Sequence, residues 1–148
     1  MRRRTSSALV ASAVAALGLA TAQPAAAADH LRCTAGVLGS EVCVGVQTTG
    51  GDVRGYASVY DAPGGDELRV TVRSLVLQRR ACGGTWQAWT TTRTTGDTSG
   101  VRDTDVTQWV LRPGGVQFRS VATYSVEQVG GASLGRSGTA TSAAFGAC

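Results

Sequence analysis

The sequence predicts an all-β domain: an antiparallel sandwich of about seven strands, held by two disulfides. Three observations lead there. Short apolar–polar alternations replace helical periodicity, glycine pairs separate them, and all four cysteines lie beyond a leader-like N-terminus.

Residues 1–28 read as a cleaved signal peptide. Arg2, Arg3 and Arg4 form a positive start, residues 8–22 an uncharged apolar run, and Ala26 and Ala28 meet the A-x-A rule, so cleavage is expected before Asp29. The run is shorter than the ~20 residues a membrane-spanning helix needs, so no span is expected in the mature chain. Residues 29–148 are then one secreted, extracellular domain. The leader removes three of the 14 basic residues, leaving 11 against 10 acidic ones, a net charge of +1. That balance lacks the dense basic stripe of a nucleic-acid binder. Every basic residue is arginine, and the Ala, Gly, Val and Arg excess fits a GC-rich bacterial genome.

Cys33, Cys43, Cys82 and Cys148 allow three connectivities. Cys33–Cys43 with Cys82–Cys148 is the expected one. The first pair closes a short loop in which Gly36 and Gly39 permit a reversal; the second ties the final residue to mid-chain. Loops of those lengths stabilise by about 3 and about 4 kcal/mol on the chain-entropy view. None of the spacings fits a zinc motif, so neither a metal nor another cofactor is expected.

Strands are expected near 41–48, 54–61, 67–79, 85–94, 105–112, 116–127 and 137–146. Within the first, Val42, Val44 and Val46 share a face; within the third, Leu68, Val70 and Val72 do. The phase slips at Ser74, because Leu75 and Leu77 continue in the opposite register, and a β-bulge there returns them to the core. Gly50-Gly51, Gly64-Gly65, Gly83-Gly84, Gly114-Gly115 and Gly130-Gly131 mark turns. Two of them follow Pro63 and Pro113, which predicts positive φ at the glycine directly after proline. The strand number is immunoglobulin-like by analogy alone, since the Cys…Trp…Cys spacing of antibody domains is absent; a barrel is the alternative closure.

Catalysis finds little support. The single histidine, His30, sits next to the expected mature terminus, where a general base is held loosely, and without lysine no Ser–Lys dyad can form. Asp66-Glu67 and Asp103/Asp105 are the available carboxylate pairs, and as turn-end acids they read as solvated turn formers. Residues 97–105 alternate oxygen ligands, but they miss the EF-hand order and include Arg102. The protein is therefore expected to be non-enzymatic.

Binding is the better-supported class. Trp86 and Trp89 lie three apart, so a regular strand sends one into the core and the other outward. Beyond them runs a threonine-rich stretch that includes Thr91. Tyr56 and Tyr60, four apart, share a face about 13 Å from one another. Exposed aromatics beside hydroxyls suit a polysaccharide or cell-wall component. The alternative is an inhibitor of an extracellular protease, presenting Arg80 or Leu38 from a disulfide-buttressed loop.

Overall fold

The computed structural model describes residues 28–61, 68–92, 100–130 and 135–148. Residues 1–27, the expected Pro63-Gly64-Gly65 turn, Asp66-Glu67 and the whole of the polar stretch 93–99 fall outside them.

Among the described residues nine strands form two antiparallel sheets: β1 (Ala28–Ala35), β2 (Glu41–Thr49), β3 (Asp52–Tyr60), β4 (Leu68–Ala81), β5 (Gln87–Thr92), β6 (Arg102–Val106), β7 (Val110–Leu111), β8 (Val116–Gln128) and β9 (Arg136–Thr141). Sheet I runs β1-β2-β3-β6, with β7 also pairing β3; sheet II runs β5-β4-β8-β9. All pairings between named strands are antiparallel. The predicted sandwich is present, with the Cys33–Cys43 and Cys82–Cys148 disulfides both formed.

Alternation decides which side chains enter the core. Val42, Val44, Ala57 and Val59 from sheet I pack against Val70, Val72, Leu75, Ala122, Tyr124 and Val126 from sheet II. A second cluster joins Val46 and Val53 to Leu77 and Phe118. Ser120 lies near this second cluster, fully buried; its hydroxyl donates to the Gly45 carbonyl of the opposite sheet at 2.7 Å. A buried hydroxyl so placed satisfies a strand carbonyl and fixes one sheet against the other.

The bulge expected at Ser74 is observed. The β4–β8 register shifts between Val72 and Ser74, and Leu75 and Leu77 return to full burial. Gly50-Gly51 makes the two-residue β2–β3 turn, with Gly50 at φ 54°. At 113–115 the positive φ falls on Gly115 (70°), one residue later than the proline rule places it.

Three expectations need correction. β1 was not anticipated: it pairs with β2 from Ala28↔Thr48 to Ala35↔Glu41, so His30 is held in a sheet instead of a loose terminus. The expected 105–112 strand is two pieces, β6 and β7, pairing successive parts of β3. Thr107 sits between them, its hydroxyl accepting from the Gly55 N–H at 2.8 Å. The last strand ends at Thr141, and Phe145 rejoins β8 only through a bridge to Phe118.

Candidate ligand-binding face

Inward alternation on β4 and β8 leaves a second set of side chains pointing away from the core. Strand register arranges these outward residues of sheet II in rows. Thr91, Val76, Val121 and Thr141 form one row across β5, β4, β8 and β9. Ser74, Thr123 and Thr139 form the next, and Thr71, Ser125 and Ser137 the one beyond. In the other direction come Ala88, Gln78 and Arg119, and then Arg80 with Gln117. Rows lie two residues apart along a strand, roughly 6.6 Å, so the face spans roughly 26 Å from Gln117 to Ser125. Thr91, Ser137, Thr139 and Thr141 are exposed. Ser74 and Thr123 hydroxyls bond to each other at 2.6 Å.

The two ends of this face differ in charge. At the Ser125 end, Arg73 Nε donates to the Ser125 hydroxyl at 2.8 Å, and its Nη2 lies 3.8 Å from the Glu127 carboxylate. At the other end, the Arg80 and Arg119 guanidinium carbons lie 4.5 and 4.3 Å from the Trp86 ring centroid. Arg80 Nε donates to Gln117 Oε1 at 2.9 Å, and Arg119 Nε to Gln78 Oε1 at 2.8 Å. Both arginines are thereby fixed in plane by a neutral amide and in tilt by an indole. Neither has a carboxylate partner among the described residues.

Beside this end a cleft of about 430 Å³ is lined by Arg79, Arg80, Gly84, Thr85, Gln87 and Val116. The Arg79 guanidinium stacks 3.2 Å from the centroid of Trp89. Trp89 itself occupies a bulge, where the β4–β5 register shifts between Leu77 and Gln78.

The expectation that one tryptophan fills the core is therefore corrected. Trp86 is half-buried just before β5, and Trp89 is exposed. Phe118, Leu75 and Leu77 supply the large core side chains instead. The bulge removes the strict alternation on which that expectation rested. Each of the three tryptophans carries a stacked arginine, since Arg54 lies 4.4 Å from the Trp109 ring centroid.

Tyr56 and Tyr60 do share a face, but it is the outer face of sheet I, across the sandwich from Trp86 and Thr91. There Arg102 donates to Ser58 and lies over the Tyr60 ring, and Arg54 Nε donates to Gln47 Oε1 at 2.7 Å. The Tyr60 hydroxyl donates to Glu41, which raises its pKa from the ordinary 10.0; partial desolvation and the Glu41 charge add to the rise, and Arg102 opposes it. Ser58 and Gln47 end up buried under these side chains.

The remaining candidates sit in structural roles. Asp103 is buried, and its carboxylate accepts from the Val72 N–H at 2.6 Å, satisfying a β4 edge donor from sheet I. Residues 97–99 of the possible calcium loop lie outside the described residues. Arg80 lies within β4, paired to Gln117 of β8, instead of on a loop that a protease could enter. Leu38 caps the β1–β2 connection, a single 3-10 turn at Val37–Gly39, with left-handed φ 55° and ψ 26°. A protease-bound loop pairs as extended strand, which this conformation does not offer. His30 stacks on Phe145, ring centroids 4.2 Å apart. Glu41 lies near the sulfurs of Cys33 and Cys43, which are bonded to each other and so are not thiolate ligands.

No protein-family model, curated protein or solved structure shows a significant match to this chain.

Arg119, Gln78, Gln117, Thr139 and Thr141 were missed as site residues. Their outward phase was legible in each strand, but the register that brings them to Trp86 and Thr91 is long-range.

Proposed function

We propose that the mature protein is a secreted, non-enzymatic binding module whose sheet II outer face holds a polysaccharide or cell-wall component. The observation that carries this reading is the exposed hydroxyls of the two edge strands, Thr91 on β5 with Thr139 and Thr141 on β9, flanking the Val76–Val121 pair on the face that leads to the Trp86 cluster. Hydroxyls both donate and accept, which matches the hydroxyl-rich edge of a sugar chain. Trp86 contributes by ordering two arginines; its ring is engaged by guanidinium groups and is less free for sugar stacking. Secretion is supported by the two disulfides, which persist in oxidising compartments. A binding role is supported by the single histidine, the lack of lysine and the structural engagement of Asp103.

The test is retention on chitin, cellulose and peptidoglycan. Thr91→Val with Thr141→Val removes two hydroxyls at nearly constant shape and should weaken retention about tenfold, the equivalent of one or two lost hydrogen bonds. Trp89→Ala, off the rows, should bind as wild type. Wild-type protein that is retained on none of these matrices sinks the reading.

A further inference from the structure

We infer that the glycan this face takes is acidic, and that its carboxylate or phosphodiester groups seat at the Arg80–Trp86–Arg119 end. The inference rests on the binding reading above and names the charge class of the ligand.

Each guanidinium has five N–H donors in a rigid fork. In Arg80 and Arg119 the Nε donor is spent on a glutamine, and one broad surface of each group faces the indole. Among the described residues that leaves the two Nη groups of each arginine, already oriented, as the unspent donors. Such an edge matches the two oxygens of a carboxylate or phosphate in bidentate fashion.

Charge bookkeeping points the same way. Gln78 and Gln117 are neutral, and the indole attracts a cation without cancelling it. Both guanidinium carbons lie within 4.5 Å of one ring centroid, so the two charges are no more than about 9 Å apart. That is comparable with the Debye length of about 8–10 Å at moderate salt, so each still feels the other's repulsion. Arg79, lining the adjoining cleft, adds a third cation. At the opposite end of the same face Arg73 has Glu127 beside it, whereas Arg80 and Arg119, two cations on one ring, have no carboxylate partner among the described residues. An anion on the ligand would supply what the protein leaves out, and the ordered side chains lower the entropy cost of binding it.

The test compares binding of the mature protein to three polymers by titration: polygalacturonate for carboxylates, a poly(glycerol phosphate) for phosphodiesters, and an uncharged β-glucan. At least one acidic polymer should bind tenfold or more tightly than the β-glucan at low salt, and lose that advantage as salt rises. Arg80→Gln with Arg119→Gln should abolish the advantage while leaving the unfolding midpoint within a few degrees of wild type. Arg69→Gln, an exposed arginine toward the far end of β4, should change nothing, which separates a site from general attraction. Which acidic polymer binds identifies the anion. Equal affinity for all three polymers, or equal losses in Arg69→Gln and the double variant, overturns the acidic-ligand inference and leaves the binding reading intact. Should none of the three polymers bind, the acidic-ligand inference falls, and retention on chitin, cellulose or peptidoglycan decides the binding reading separately.

Discussion

The two outer faces of the sandwich are built from similar residues and end in opposite states. On sheet I, Arg54 is spent on Gln47 and Trp109, Arg102 on Ser58 and Tyr60, and Tyr60 on Glu41. The Cys33–Cys43 disulfide lies on the same side, and beneath this cover Ser58 and Gln47 are buried. On sheet II the Thr91, Ser137, Thr139 and Thr141 side chains of the two edge strands are exposed, and Arg80 and Arg119 are ordered without a carboxylate partner among the described residues. The same arginine–tryptophan contact thus serves as cover on one face and as preorganisation on the other. Arg54 has the same amide-and-indole setting as Arg80, so what separates the faces is that on sheet II two such guanidinium groups converge on one ring. Substitutions on sheet I should therefore cost stability, and substitutions on sheet II should cost binding.

The largest expected effect tests the first half of that statement. Replacing Cys33 and Cys43 together by serine opens a loop with a sequence separation of 10, worth about 3 kcal/mol on the chain-entropy view. Urea unfolding should show a lower midpoint with a slope equal to or slightly above wild type, because the opened unfolded chain exposes more surface, and glycan retention per folded molecule should stay at the wild-type level. Lost binding in a variant that still folds would break the division between the faces. By contrast, Arg80→Gln removes a partly exposed cation–π contact of about 1 kcal/mol or less.

How far this division could be read from sequence depends on the range of the interactions. The β4 bulge was legible because a phase slip at Ser74 is local. The favoured disulfide pairing, one of three possible, also formed, because the short glycine-containing loop between Cys33 and Cys43 is a local signal. β1 was not legible: from Leu31 to Ala35 every residue is exposed, so no alternation marks it, and pairing with β2 alone makes it a strand. The β6–β7 break depends on Thr107 reaching Gly55 far back in the chain. The candidate face was half legible. Trp86 and Thr91 announced themselves, but Arg119 reaches Trp86 only through β8–β4 pairing. The same long-range register sent Tyr56 and Tyr60 to the opposite face.

A smaller effect lies at the tip of the β1–β2 connection. Leu38 is exposed and held at φ 55°, a conformation that costs an L residue about 1–2 kcal/mol and glycine almost nothing. Glycine also loses more backbone entropy on folding, so Leu38→Gly should raise stability by about 1 kcal/mol or less. Its glycan binding should match wild type, because the tip belongs to the stabilising side. A destabilised Leu38→Gly would mean that the side chain has a packing role. Loss of inhibition of an extracellular protease in this variant would revive the inhibitor alternative.

The smallest effect reads the closure of sheet I directly. The Glu41 contact holds the Tyr60 phenol in its protonated form above the ordinary 10.0. Between the unfolded and folded values the native chain keeps a proton that the unfolded chain releases, so this contribution to stability is present below about pH 10 and is lost as pH rises through the folded value. Phenolate absorbance should therefore show Tyr60 titrating late. In Glu41→Gln the carboxylate is gone while Arg102 still favours the phenolate, so the late step should fall to the ordinary range or below it. The alkaline loss of stability should shrink with it, and glycan binding at neutral pH should be unaffected. A wild-type Tyr60 that titrates at its ordinary value would mean that this corner of sheet I is open, and that the contrast between the faces is weaker there than the Glu41–Tyr60 contact implies.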